Sequence, residues 1–416
     1  MSIEAAAGQV ADRLSESDFI RVFGHNDADG IASATVMCHA LYRLGKKFHL
    51  TIRDRITLND IKKGETTLLC DFGSSMTDLY EDVIVIDHHM TGFNGEYHVN
   101  PRLCGIDGDT ELSAAGTAYI TANRLGDNRD LCGLALLGII GDKQKIAGKN
   151  RDIISEGIGN HYLLPRRNMA LCGRNPKEQL YTAINPYLSG VSGNKEVVDR
   201  IVDSSTKKQD IERSLDIELD YQSLLSQVIF ETAKDTNGLT MQSIWKDTYE
   251  LERGIIHDAQ SMSDVVEACG LSGRGDLGVM LCLRNGDVLD EAWEITNRYR
   301  LNVISAIKNA KRADDKILLF EVEDMKTASP AADAIANDGL YESPVFVISK
   351  KDNVCRVSAR CPSIIQTGSE YNLGELMREL ASKTGGSGGG HASRAGALFD
   401  ISELGKFKEG LKEALS

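Results

Sequence analysis

Short β-branched runs alternate with helical patterns through the first half of this chain, and several of those runs end on an aspartate or a histidine. "FIRVFG" at 19 to 24, "FHLTIR" at 48 to 53, "TTLLC" at 66 to 70 and "VIVI" at 83 to 86 read as strands. A helix is expected from Ile31 to Leu44, and "ELSAAGTAYITANRL" and "LCGLALLGIIG" read as small-residue helices that pack on a sheet. Such alternation specifies βαβ units and a parallel sheet, which fixes the carboxyl edge of the sheet as the place where ligands meet loops. Fold class α/β follows.

What stands at those strand ends carries the chemistry. In "VFGHNDADG", His25, Asp27 and Asp29 share parity, so an extended loop would aim all three to one side. A turn or helix cap accounts for one aspartate there but leaves the others unexplained. "LLCDFG" places Asp71 directly after a buried strand, and "VIVIDHH" places Asp87, His88 and His89 after another. "ALLGIIGD" puts Asp142 at the end of an apolar helix, where the macrodipole disfavours an unpaired carboxylate by a few tenths to ~1 kcal/mol. Several aspartates with a minority of imidazoles suit a pair of divalent cations, manganese before magnesium, with zinc less apt. Such a pair serves phosphoester hydrolysis. His39, His49, His98, His161 and His257 have no comparable company and read as ordinary histidines.

From Val197 to Ser263 the sequence becomes charged and helical in pattern, and from Lys316 the α/β rhythm returns in "ILLFEV", "PVFVIS" and "VCRVSA", followed by a helix at Leu373 to Ser382 and the glycine run "TGGSGGGHASRAG". A flexible linker would explain the glycines but not His391 or the apolar "AGALF" straight after. Three regions are expected: 1–190 catalytic with a two-metal site, 191–312 a mainly helical connector, and 313–416 a smaller α/β substrate-binding domain. The opening residues lack a signal-peptide pattern and no apolar run is long enough to span a bilayer, so the expectation is a cytoplasmic protein without a membrane partner. Nine cysteines, none in a C-x-x-C pair, argue for buried thiols rather than a disulfide framework.

A net charge of −14 is awkward for a nucleic-acid binder. Locally the balance reverses: between Lys143 and Lys177 stand Lys143, Lys145, Lys149, Arg151, Arg166, Arg167, Arg174 and Lys177 against only Asp152 and Glu156. A basic stretch just after Asp142 is what a phosphate backbone needs.

"HNDADG", "CDFG", "DHH" and "GIIGD" resemble the four ordered motifs of the DHH phosphoesterase superfamily, and "GGSGGGHASRAG" resembles the glycine-rich motif of its companion DHHA1 domain. Within the superfamily the chain looks closest to archaeal RecJ-like single-strand exonucleases, on "ELSAAGTAYITA", "LSGRGDLGVMLCL" and "VEDMKTASPAADAIA" as well. The resemblance implies that His25, Asp27 and Asp71 hold one metal and that Asp29, Asp71, His88 and Asp142 hold the other, with Asp71 as bridge. It implies that His89 faces the scissile phosphate while Asp87 orients its neighbours, Asp71, Asp87 and His89 forming the catalytic set. Ser358, Arg360, Gly389, Gly390 and His391 would grip substrate; Arg394 intrudes where the usual motif has small residues. The implied function is metal-dependent exonucleolytic cleavage of single-stranded nucleic acid, 5′ to 3′ on DNA, in replication or repair, with two Mn²⁺ preferred over Mg²⁺ and a GINS-type replication partner. The alternatives are a short-oligonucleotide phosphodiesterase and a replisome scaffold; an inorganic pyrophosphatase is poorly served by the "GGGH" end.

Overall fold

In the computed structural model the described residues are 1–208, 217–362, 365 and 371–415. The chain opens with α1 (Ile3–Glu16), then β1 (Phe19–His25), α2 (Ala28–Arg43), β2 (Lys47–Arg53), β3 (Thr67–Cys70), β4 (Ile84–Ile86) and β5 (His98–Val99). These strands form one all-parallel sheet in the order β2-β1-β3-β4-β5. Helices α3 (Ala114–Leu125), α4 (Cys132–Gly141) and α5 (Gly148–Gly159) follow. Alternation decides which face each strand residue covers. Phe23, Leu69 and Val85 lie on one rung and pack with Ile61 and Val83 under loop residues including Phe72, Tyr80 and Phe93. Gly24, Cys70 and Ile86 form the next rung on the opposite face, where α2 comes so close that a Cβ at Gly24 would sit 2.7 Å from Ala34 Cβ.

Strand β6 (Leu163–Met169) leads into α6 (Pro176–Tyr181), α7 (Lys195–Ser204), the antiparallel pair β7 (Thr206–Lys208) and β8 (Ile217–Leu219), α8 (Tyr221–Thr232) and α9 (Gly238–Ser243). Strand β9 (Trp245–Leu251), the partner of β6, precedes α10 (Ala259–Leu271), α11 (Gly275–Cys282) and the long α12 (Leu289–Lys308). The expected helical stretch from Val197 therefore contains strands, and its residues 209–216 lie outside the described ones.

Two compact units result: Met1–Asn168 with Asp247–Thr296, and Met169–Lys246 with Asn297–Ser416. The stretch 191–312, expected as one connector, is thus shared between them. The reason is packing: α10 and α11 bury Val265, Val266, Cys269, Leu277 and Leu281 within the first unit, and Gly270 lies so near the β1–α2 loop that a Cβ there would come within 1.9 Å of the Asn26 carbonyl. Residues 169 to 246 instead build their own core around Leu171, Leu180, Leu188, Ile201, Leu224 and Val228.

The second unit ends in a six-stranded mixed sheet, β10 (Lys311–Arg312), β11 (Leu318–Glu321), β12 (Val345–Lys351), β13 (Val354–Arg360), β14 (Ser387–Gly390) and β15 (Arg394–Asp400), in the order β10-β11-β12-β13-β15-β14. It is accompanied by α13 (Ala328–Asp338), α14 (Leu373–Lys383) and α15 (Leu404–Ala414). Residues of β12 alternate between two cores: Phe346 and Ile348 pack with Met377 and Phe407, Val345 and Val347 with Ala331 and Ala332. That explains why "VFVI" is continuously apolar. The glycine run is a packed edge strand, not a linker.

No helix among the described residues is long and apolar enough to cross a membrane. Phe346 is fully buried, so Phe346→Ala is expected to cost about 3–5 kcal/mol, read as a lower denaturation midpoint in urea.

Candidate metal centre

Register sets the site. Gly24 pairs with Cys70 and Cys70 with Ile86, so the residues that leave the sheet next, His25, Asp71 and Asp87, emerge side by side from three neighbouring parallel strands. Asp71 does so with φ +67°, in the left-handed region that aspartate tolerates better than most side chains. Its amide donates to the Ile86 carbonyl at 2.9 Å, tying β3 to β4 at the point of exit.

Asp71 is 2 % exposed, and neither carboxylate oxygen has a hydrogen-bond partner among the described residues. Three imidazole nitrogens lie close: His25 Nδ1 at 3.2 Å, His88 Nε2 at 3.5 Å and His89 Nδ1 at 3.7 Å. Around them, ligand-capable atoms fall into the groups His25–Asp27–Asp71, Asp29–His88–Asp142 and Asp71–Asp87–His88–His89, each within 4.8 Å. A buried carboxylate without donors is costly, and cations are what such a donor set fits.

Asp27 and Asp29 do not point the same way. The helix begins at Ala28 rather than Ile31, so Asp27 is its N-cap and Asp29 belongs to its first turn. Asp27 accepts from the Gly30 amide at 2.8 Å through one oxygen and lies 2.7 Å from His25 Nδ1 through the other. Capping thus uses one oxygen of this residue and leaves the other within the cluster. Asp29 turns instead to the N-terminus of α3, accepting from Ala114 and Ala115 amides at 2.8 Å each, while His88 Nε2 stands 3.8 Å away. That approach requires Gly138 on α4, whose Cβ would lie 1.9 Å from Asp29 Oδ1. Asp142 is the C-cap of α4 and comes 3.1 Å from His88 Nε2.

The two adjacent histidines are in different surroundings. His88 is 3 % exposed and donates Nδ1–H to the Gly108 carbonyl at 2.6 Å, which leaves Nε2 facing Asp71 and Asp142. The His89 side chain is 42 % exposed, with Nδ1 held by Asp87 at 2.8 Å. Asp87 is the hub of the loop, accepting also from the amides of Ser74, His88 and His89.

Like charges crowd the pocket. Burial, with Asp142 and Asp71 alongside, pushes the Asp29 carboxyl well above its usual range, and Asp142 is raised by burial too. Burial disfavours the charged His25 and His88 rings, yet the neighbouring aspartates outweigh it and hold both well above an ordinary histidine. Asp87 stays low because His89, His88 and the loop amides overcome its burial.

Several supporting residues carry no sequence motif. Gln144 donates to the Gly108 carbonyl at 2.8 Å and accepts from the fully buried Asn150 at 2.8 Å. Asn100 donates to the His89 carbonyl and to Ser74 Oγ, both at 2.9 Å, and Ser74 Oγ meets His98 Nε2 at 2.9 Å. His98, expected to be unremarkable, is buried within this support. Arg102 donates Nε–H to the His88 carbonyl at 2.9 Å.

The other expected residues form a group in the second unit. Ser358, Gly396 and Gly389 share a rung across β13, β15 and β14, and Gly390 leads into the His391 turn, whose amide donates to the Arg394 carbonyl at 2.7 Å. Arg360, expected to grip substrate, is 4 % exposed and engaged with Asp333 and Ser329 of α13 at 2.5 Å each and with the Ala359 carbonyl at 2.9 Å. Burial lowers its pKa to about 10. Arg394, half exposed, shares Asp333 at 3.0 Å. In the basic stretch, Lys149 pairs with Glu4, Arg166 with Glu250, Arg167 with Asp247, Arg174 with Glu178 and Lys177 with Asp199 and Asp203. Much of the expected local cationic surplus is therefore answered by carboxylates outside that stretch.

Residues 19–139 match the DHH family N-terminal domain and residues 314–416 match the DHHA1 domain. An uncharacterised protein of Methanocaldococcus jannaschii is 26% identical over 432 residues, 97% of this chain and 94% of its own. The single-stranded-DNA-specific exonuclease RecJ of Bacillus subtilis is 28% identical over 180 residues, covering 38% of this chain but 23% of its own. Among solved structures, RecJ with Mn²⁺ from Thermus thermophilus aligns with a TM-score of 0.62 at 16% identity over 99% of this chain, which spans 54% of the RecJ chain. CDC45 from Entamoeba histolytica aligns with a TM-score of 0.62 at 13% identity, covering 99% of this chain and 98% of its own. At these identities the two structures establish the fold. With a DHH domain at one end and a DHHA1 domain at the other on a RecJ-like fold, the chain belongs to the DHH phosphoesterase superfamily.

Proposed function

We propose that the chain is a divalent-metal-dependent exonuclease that hydrolyses single-stranded nucleic acid, DNA from its 5′ end, at the Asp71 cluster. The observation that carries this reading is Asp71 itself, a buried carboxylate without a hydrogen-bond partner among the described residues that belongs to two of the three groups of metal-capable side chains. His25, Asp27 and Asp71 would hold one cation, and Asp29, Asp71, His88 and Asp142 the other. Divalent cations held there would supply an activated water and charge stabilisation for phosphodiester hydrolysis. An oxygen-rich donor set with a minority of imidazoles favours Mn²⁺, with Mg²⁺ next. The chain's own residues supply the rest. Asp87 fixes the ring of His89, whose exposed edge reaches the scissile phosphate, and the Gly108 carbonyl fixes His88 with Nε2 as the ligand atom. Gly389, Gly390, His391 and Ser358 would grip substrate through main-chain and hydroxyl groups, with Arg394 more accessible for the purpose than Arg360.

The likeness to a RecJ that is named for single-stranded DNA supports this reading. The pairing of the basic stretch favours a second one, cleavage of short oligonucleotides, because a long backbone needs more unanswered cations. A GINS-type replication partner, and with it a scaffold role in the replisome, belongs to the same proposal; co-purification tests it.

End-labelled single-stranded DNA, RNA and a chain-length series, incubated with Mn²⁺, should show release from the 5′ label of long DNA; release only from the 3′ label would falsify the polarity, and cleavage confined to the shortest substrates would favour the second reading. Asp71→Ala should abolish cleavage and weaken Mn²⁺ binding by at least ~10²-fold, whereas His89→Ala should lose about 10²–10⁴-fold in rate while still binding Mn²⁺. Gln144→Leu is expected to lower metal affinity by about 10–100-fold, measured by calorimetry. Because His25, His88, Asp29 and Asp142 hold protons more tightly than usual without metal, cation binding should release protons and weaken as pH falls; buffers of different ionisation enthalpy would reveal the release.

A further inference from the structure

At the other ends of α2 and α4 from the carboxylate cluster lies a second concentration of charge. Arg43 ends α2, Arg253 follows β9, and Arg284 follows α11 with φ +64°, its amide bonded to the Leu281 carbonyl at 2.9 Å. All three turn toward one carboxylate, Asp130, just ahead of α4. With 16 residues in α2 and 10 in α4, the separation from the metal centre is on the order of 15–24 Å.

Asp130 cannot satisfy three guanidinium groups. Arg43 occupies both its oxygens at 2.7 and 2.8 Å, and Arg253 Nη1 adds a bond of 2.9 Å. Arg284 Nη2 is left at 3.9 Å, beyond hydrogen-bond reach, and none of its guanidinium donors has an acceptor among the described residues. The side chains of Arg43, Arg253 and Arg284 are 37 %, 47 % and 39 % exposed, and Arg43 Nη1 also donates to Asn128 at 2.8 Å, so Arg253 and Arg284 are the ones left to meet a ligand directly. Asp127, which also acts on Arg43, is answered by Arg129 at 2.8 Å, so three guanidinium groups against Asp130 leave an excess of two positive charges. Asp130, Arg253 and Arg284 line a cavity of about 40 Å³ together with Leu137, Tyr162, Met262 and Leu281, and the Tyr162 ring lies 5.2 Å from the Arg253 guanidinium.

We propose that Arg43, Arg253 and Arg284 form an anion site that takes one phosphoryl group of a small phosphorylated ligand, apart from the metal centre. A dianionic phosphate matches the excess charge, and planar guanidinium forks match its oxygens. The cavity is far below the ~300–1,000 Å³ of ordinary small-molecule pockets, so it admits the phosphoryl group, with Tyr162 in its wall, and leaves the rest of the ligand outside. The proposal does not depend on whether the metal centre cleaves nucleic acid.

The test is calorimetric titration of the full chain with inorganic phosphate and, separately, with adenosine 5′-monophosphate. Chelator keeps divalent cations, and hence phosphate at the metal centre, out of the experiment. Saturable one-to-one binding is expected, weakened at least roughly tenfold by Arg284→Gln and by Arg253→Gln. Tighter binding of the nucleotide assigns the ligand to nucleotides; equal binding assigns it to free phosphate. Asp130→Asn removes the competing carboxylate and should tighten binding, where a merely structural ion network predicts only lower stability. Absence of saturable binding of either probe up to about 10 mM, or unchanged affinity in a folded Arg284→Gln, overturns the proposal.

Discussion

The first unit is organised around a buried carboxylate whose nearest nitrogens all belong to imidazoles. Asp71 sits at the carboxyl edge of a parallel sheet with a backbone conformation few side chains adopt, its oxygens buried and without a hydrogen-bond partner among the described residues. Everything close to it is either another carboxylate or an imidazole, and each is held from behind. Asp87 gathers the loop amides, Gly108 and Gln144 set the His88 ring, and the start of α3 receives Asp29. Remove the electrostatic demand at Asp71 and these supports have no common purpose.

How the sheet is put together makes the cluster cheap to assemble. Three parallel strands in register deliver His25, Asp71 and Asp87 at one level, so no long-range adjustment is needed to bring them together. Two antiparallel helices complete the pocket, α2 by its first turn and α4 by its last. The favourable end of the α2 dipole faces the acids, while Asp142 stands at the unfavourable end of α4, a position that a cation rewards.

The strands and the loaded residues after them were legible because parallel strands buried on both faces show as β-branched runs and because charged residues break those runs abruptly. What could not be read was anything set by residues distant in sequence. Asp27 and Asp29 look equivalent on a line, yet the helix starts between them and sends them to different groups. Arg360 looks available until Asp333 is seen beside it, and the basic stretch looks bare until Glu4, Asp247 and Glu250 arrive from elsewhere. Gln144, Asn100 and Asn150 act through single hydrogen bonds, which leave no periodicity or spacing to detect.

The glycine strand at the edge of the second sheet has a consequence for how its sequence can vary. At Gly386 and Gly388 a methyl group would meet the main chain of Leu398 and Met377 at 2.1 and 2.4 Å, whereas at Gly389 it would meet only the end of Arg378 at an ordinary 4.0 Å but on a backbone with φ +154°. Two unrelated causes, crowding and conformation, thus forbid the same substitution at neighbouring positions. Engineering that relieves one, by trimming α14 for instance, would leave the other untouched, so the segment resists change piecemeal and yields only if helix and strand are redesigned together.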